Sequence, residues 1–206
     1  MARQVEFEEQ LALCAPIGGP LINASGSVTN SIWTADSLPD LRGRSYVVTG
    51  ANRGLGLEVA TALARHHAVV TLAVRDHARG QAAVGAIEGA VPGAALEVAE
   101  LDLASLASIQ QFADRYGHRH NRLDGLVNNA AAILVPEGTT AEGFELHWGV
   151  NHLGHFALTA WLMPLLLAAR SPRVVTVTSL VARWGRLRPN TSNLDPKAGI
   201  MGGCHG

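Results

Sequence analysis

The segment Thr49-Gly50-Ala51-Asn52-Arg53-Gly54-Leu55-Gly56 carries the residue types that can hold a diphosphate. It follows the apolar run Tyr46-Val47-Val48 and precedes a helix-patterned stretch. There, Gly50 permits a tight turn, Gly54 lets backbone approach a pyrophosphate, and Gly56 allows close packing of the helix start. The helix N-terminus presents unpaired N–H groups and a partial positive charge, which together favour an anion. A bare glycine pattern also describes an ordinary Gly-rich connection. The strand before it and the helix after it are what phosphate binding requires. The next apolar run ends Ala73-Val74-Arg75-Asp76. At such a strand end a carboxylate takes the 2′-hydroxyl of NAD, whereas Arg takes the 2′-phosphate of NADP. Arg75 comes first and can pair bidentately with a phosphate, and Arg53 adds a second cation. NADP(H) is therefore favoured over NAD(H). Asp76 argues the other way, since it could face a hydroxyl or pair with Arg75, and each Arg taken singly is equally well explained as a solvated surface residue.

These residues need a frame. Strands are predicted at Tyr46-Val47-Val48, Val69 to Val74, Leu96 to Leu101, a run ending Leu126-Val127, and Arg173 to Thr178. Between them lie helical patterns at Leu55 to His67, with apolar residues at 55, 59, 60, 63 and 64, at 78–90, at 106–116 with Ser105 as cap, and at Phe144 to Leu167. Apolar strands alternating with helices imply a parallel sheet covered on both faces, joined by right-handed crossovers. The fold class is α/β, a doubly wound Rossmann-type sheet in a single domain. Residues 1–40 lack periodicity and read as an extension, 41–185 as the Rossmann domain, and 186–206 as an irregular tail.

Composition excludes several classes of function. Sixteen basic and seventeen acidic side chains give a net charge of -1, which steers the chain toward neither nucleic acid nor an acidic surface. Cys14 and Cys204 have no metal-ligand spacing and make no disulfide framework, so a reducing cytoplasm is the expected location. No apolar run approaches the ~20 residues of a membrane span. His152 and His155 have no acidic or Cys partner at ligand spacing and read as packing or surface residues, so no metal is expected.

The glycine spacing Gly-x-x-x-Gly-x-Gly resembles the short-chain dehydrogenase/reductase family. So do Asp102 in Leu101-Asp102-Leu103, Asn128-Asn129-Ala130-Ala131, Asn151 in Val150-Asn151-His152-Leu153-Gly154-His155-Phe156, and Ser179 closing Val174 to Ser179. Thr140 to Glu145 and the Asn151 motif look most like the retinol-dehydrogenase-like branch, including WW-domain oxidoreductase relatives. The resemblance implies hydride transfer between NADP(H) and an alcohol or carbonyl substrate. Ser179 would bond the substrate oxygen, and Asn151 would hold a water in a proton relay. Gly50, Asn52, Arg53, Gly54, Leu55, Gly56, Arg75, Asp102, Leu103, Asn128, Asn129, Ala130 and Ala131 would line the cofactor. Ala131 stands where the family usually has Gly. On residues alone, Asp102 could simply cap a helix, and Ser179 could be a polar residue ending a strand.

The resemblance also implies a Tyr-x-x-x-Lys acid/base pair, and the sequence does not contain it. Its Tyr residues are Tyr46 and Tyr116, and Lys197 is preceded four residues earlier by Asn193. The chain thus reads as a C-terminally truncated member, inactive as it stands. Two alternatives remain open: a non-catalytic NADP(H)-binding or partner-binding module, and a fragment whose open sheet edge prevents stable folding. The family's habit of pairing through the helix that carries the Asn motif makes a homodimer an expectation.

Overall fold

The computed structural model describes residues 21, 22, 28, 29, 34–133 and 135–179 of the chain. Two compact units are present, Met1–Pro39 and Asp40–Gly206. In the first, Leu21–Ile22 pairs antiparallel with Val28–Thr29, and Ala35–Ser37 forms a 3-10 turn. Two-residue strands leave no periodicity in a sequence, which is why this stretch reads as a tail.

In the second unit, strands and helices alternate as expected. They are β1 (Ser45–Thr49), α1 (Gly54–Arg65), β2 (Val69–Val74), α2 (His77–Ala90), β3 (Leu96–Glu100), α3 (Leu106–Arg119), β4 (Gly125–Asn128), α4 (Leu146–Leu167) and β5 (Arg173–Thr176). The sheet order is β3-β2-β1-β4-β5, and all four pairings are parallel. This is the doubly wound arrangement, with the direction of winding reversing between β1 and β4.

Period-two alternation along β1 divides the core. Val47 faces a layer of Ile109, Phe112 and Tyr116 from α3 and Leu158, Leu162 and Leu166 from α4. Val48 faces the opposite layer, built by Ala60 and Leu63 of α1 and Ile87 of α2. Both faces of the central strands are covered, so those strands read as continuous apolar runs.

Three expectations need correction. The buried stripe of α1 is Gly56, Ala60, Leu63 and Ala64, while Leu55, placed on that stripe by period, is 57% exposed. Helix α4 starts at Leu146 rather than Phe144. The Glu145 carboxylate accepts the N–H groups of His147 (2.9 Å) and Trp148 (2.7 Å) and so caps it. Burial pushes the Glu145 carboxyl up, but these bonds and the His147 ring overcome that and hold it below its ordinary value. Strand β5 ends at Thr176, and all four of its residues are exposed, because no described element packs over it.

Helix α4 is also long and apolar enough, at 22 residues and a mean hydropathy of 1.2, to meet the length and composition of a membrane span. That contradicts the expectation that no such run exists. Its Leu158, Leu162 and Leu166 are nevertheless buried in the layer shared with α3.

Candidate active site

A cavity of about 510 Å³ opens at the carboxyl ends of the parallel strands. Ligands bind at that edge of a doubly wound sheet. Its lining includes Gly50, Asn52, Arg53, Gly54, Leu55, Gly56, Arg75, Asp102, Leu103, Asn129, Ala130 and Ala131. Of the expected cofactor residues, only Asn128 is outside it.

The turn between β1 and α1 forms the floor. Gly50 and Gly54 have φ of +66° and +56°, the left-handed region that side chains rarely adopt. Space around Gly54 is open, so its backbone is exposed where a phosphate would sit. Gly56 is constrained by contact instead. A Cβ there would lie 2.5 Å from Asn129 Nδ2 and 2.7 Å from the Gly50 carbonyl oxygen. The close packing at Gly56 is therefore against its own turn and the end of β4. Asn129 cannot yield easily, because its Nδ2 donates to the Thr49 carbonyl at 2.9 Å. Gly56→Ala is expected to cost about 1–3 kcal/mol of stability, read as a lower urea midpoint at unchanged m-value.

At the far wall the two charges of Arg75-Asp76 are separated by function. Asp76 caps α2, accepting the Arg79 N–H at 3.1 Å, and its second oxygen pairs with Arg79 Nε at 3.3 Å. It pairs with Arg79, not Arg75, and both its oxygens are engaged. Among the described residues Arg75 has no carboxylate within ion-pair distance, and it lines the cavity beside Arg53 and Arg79. The sequence reading missed Arg79, although its signal was available: an Arg three residues after an N-capping Asp, on the first turn of α2.

Asp102 does not cap α3, whose cap is Ser105. Its Oδ1 accepts the Ala104 N–H at 2.9 Å, closing a local turn that presents Leu103 to the cavity.

Behind the floor lies a buried network that the sequence reading did not assign. Thr49 Oγ1 accepts the N–H groups of Asn129 and Ala130, each at 2.9 Å. It also sits 3.0 Å from His155 Nε2. His155 Nδ1 lies 3.3 Å from the Asn151 carbonyl oxygen, which can only accept, so Nδ1 carries the proton and Nε2 is left as an acceptor, competing for the one Thr49 hydroxyl proton with the Val127 carbonyl oxygen at 3.3 Å. Burial lowers the His155 pKa, opposed in part by the bond to Asn151, and so favours this neutral form. The only sequence clue was a His four residues after Asn151.

Asn151 is not an ordinary mid-helix residue. It lies in a π-helical turn of α4, Gly149–Gly154. Its side chain bonds Ala132 twice, Oδ1 accepting from N at 2.7 Å and Nδ2 donating to O at 3.0 Å. It thereby ties α4 to the chain after β4. Asn128 is buried and donates from Nδ2 to Thr159 Oγ1 at 3.2 Å, anchoring α4 rather than lining the cavity. Ser179 is exposed, three residues past the end of β5 at the same edge of the sheet.

Neither Tyr is near the cavity lining. Tyr116 is buried beside Phe112 and His120, its hydroxyl pKa pushed up to about 12, chiefly by desolvation. The neighbouring Ser45 hydroxyl donates instead to the Arg122 carbonyl at 3.1 Å. Tyr46 lies in β1 with its ring against Gly125.

The geometry has counterparts among solved structures. A protein of Mycobacterium paratuberculosis is 45% identical with a TM-score of 0.66, over 76% of this chain and 53% of that one. A short chain dehydrogenase of Escherichia coli CFT073, complexed with NADPH, is 29% identical with a TM-score of 0.64, over 82% of this chain and 68% of that one. Mouse retinol dehydrogenase 12 is 40% identical over 146 residues, 71% of this chain and 46% of that protein. Zebrafish polyprenol dehydrogenase is 40% identical over 162 residues, 77% of this chain and 50% of that protein. The chain thus spans about half the length of these curated relatives. Residues 44–188, which hold the glycine turn, Arg75, the Asn128-Asn129 run, the π turn and Ser179, match the model of the short chain dehydrogenases, and the chain belongs to that family.

Proposed function

We propose that this chain binds NADP(H) in the 510 Å³ cavity as the cofactor-holding part of an oxidoreductase acting on an alcohol or carbonyl. The observation that carries the reading is the glycine cradle opening onto a wall of Arg53, Arg75 and Arg79, with Asp76 withdrawn into a cap and an ion pair. The residues fit a dinucleotide. Gly54 exposes backbone where a side chain would intrude on a diphosphate, and the start of α1 adds N–H groups and the helix dipole. Arg75 and Arg53 would hold the 2′-phosphate, and the Asp102-Leu103 turn would border the adenine. When bound, the nicotinamide supplies or accepts hydride. Ser179 would donate to the substrate oxygen, and Asn151 would hold its stretch of α4 in the π turn. The relatives named for retinol and polyprenol support a lipophilic alcohol or its carbonyl as substrate, and the solved complex with NADPH supports the cofactor.

Titrating tryptophan fluorescence with NADPH and with NADH tests the cofactor. Wild type is expected to prefer NADPH. Arg75→Ala should reduce that preference by about 10- to 100-fold, the range for a charge-assisted hydrogen bond of ~1.5–3 kcal/mol. An unchanged ratio would remove Arg75 from the site.

A second reading rests on the sequence itself. The 206 residues contain no Tyr-x-x-x-Lys, and both Tyr residues are placed outside the cavity lining. A module that binds the nucleotide without turning substrate over fits that composition.

A further inference from the structure

At the opposite end of the sheet, where β1, β4 and β5 begin, a second cavity of about 410 Å³ is lined by Arg42, Arg44, Arg122, Asp124, Arg170 and Ser171. We propose that it is a binding site for a phosphate-bearing anion, separate from the dinucleotide cavity. The two cavities share no lining residue.

The first support is charge. Four guanidinium groups and one carboxylate line the cavity. The protein as a whole is at -1, so this is a local concentration rather than general basicity. Asp124 offsets only one of the four. Its Oδ2 already takes the Ser45 N–H at 2.9 Å and Arg122 Nε at 3.2 Å. Arg122 is fixed by that pair and by a bond from Nη2 to the Gly43 carbonyl. Arg42 sits 3.7 Å from the exposed carboxylate of Asp40.

The second support is what remains unused. Among the described residues, the side chains of Arg44 and Arg170 make no hydrogen bond and no ion pair. They come from two different loops, Arg44 from the loop before β1 and Arg170 from the turn after α4. Like charges facing one concavity repel one another until an anion joins them. The planar fork of Arg fits phosphate oxygens bidentately, and a phosphate ester carries enough negative charge to offset more than one guanidinium. The cavity volume lies in the ~300–1,000 Å³ range of small-molecule sites. It suits a phosphate with part of the group that bears it.

The phosphate could arrive free, on a soluble ester, or on a lipid headgroup. The test uses the full 206-residue chain with NADPH saturating, so that the cradle is filled. Inorganic phosphate is titrated by calorimetry. Flotation is measured with vesicles of phosphatidylcholine alone and with phosphatidic acid added. The proposal expects phosphate to bind and R44A/R170A to weaken it by at least about tenfold, the worth of a charge-assisted hydrogen bond. NADPH affinity and the thermal midpoint of the double variant should stay at wild-type values, which shows that the fold is intact. Flotation with phosphatidic acid, lost in the double variant, identifies a lipid headgroup as the source. Phosphate binding without flotation identifies a soluble ester. No phosphate binding, or binding indifferent to the double substitution, overturns the proposal.

Discussion

Given saturating NADPH and a panel of aldehydes and ketones, the 206-residue chain is expected to turn over about 10²–10⁴-fold more slowly than a full-length retinol dehydrogenase assayed beside it, the usual worth of a positioned acid/base. Binding of the nucleotide should persist. Hydride can move to a carbonyl carbon only if a proton reaches its oxygen, and a group poised to deliver it must lie within hydrogen-bond reach. Neither Tyr of this chain lines the cavity to take that role. Tyr116 is buried in the layer under α3, with a pKa of about 12 that holds its proton tightly. Tyr46 packs against Gly125, on another side of the sheet from Tyr116's partners. Lys197 is not preceded by a Tyr four residues before it. Steady-state NADPH oxidation and fluorescence titration on the same preparation separate the two outcomes. Turnover equal to the relative's would mean that another group supplies the proton.

The second large effect concerns Thr49. Thr49→Val keeps the shape of the side chain and removes its hydroxyl. The N–H groups of Asn129 and Ala130 then lose their acceptor, and His155 Nε2 and the Val127 carbonyl lose the hydroxyl proton they share. An unsatisfied buried polar group costs about 1–3 kcal/mol. Asn129 and Ala130 are only partly buried, so the total expected is about 3 kcal/mol, or roughly 6–12 °C in Tm for a chain of this length. NADPH affinity should fall too, because the same bonds hold the Asn129–Ala130 wall against the glycine turn. Thr49→Ser retains the hydroxyl and should recover most of the loss. A Thr49→Val protein as stable as wild type would show that the hydroxyl does not organise the network.

The same network has a pH signature. The native state holds His155 neutral and lowers its pKa, while the unfolded chain takes up a proton near the ordinary value of 6.5. Between those two values the unfolded state binds more protons, so stability rises with pH there. The His155 contribution is complete above 6.5 and is lost as pH falls through the depressed native pKa. His155→Gln should flatten the acid limb of a Tm-against-pH curve.

Much of this protein is written in short-range signals. The alternation of apolar strands with helix-period stretches determined the doubly wound sheet, because each pattern reports on neighbouring residues alone. The glycine spacing and Arg75 likewise needed only a strand before and a helix after. Failures came where a local pattern had two physical outcomes. Period alone put Leu55 on the buried face of α1, but at the first turn of that helix it faces the open cavity. Asp76 could face a hydroxyl or pair with Arg75 by sequence, but helix geometry gave it Arg79, since the residue three ahead of a cap returns to it.

Other features were decided only by the assembled fold. Thr49 and His155 are 106 residues apart and meet because β4 inserts beside β1 and carries α4 across it. Arg44, Arg122 and Arg170 stand on three separate loops, and each alone is an ordinary surface cation. Parallel strands all begin at one end of the sheet, so these loops are gathered there while the glycine turn, Arg75 and Ser179 lie at the other. Sequence patterns specify which elements form. Which side chains face one another across 80 or 100 residues depends on strand order and on the hand of the crossovers, which no local window of residues contains.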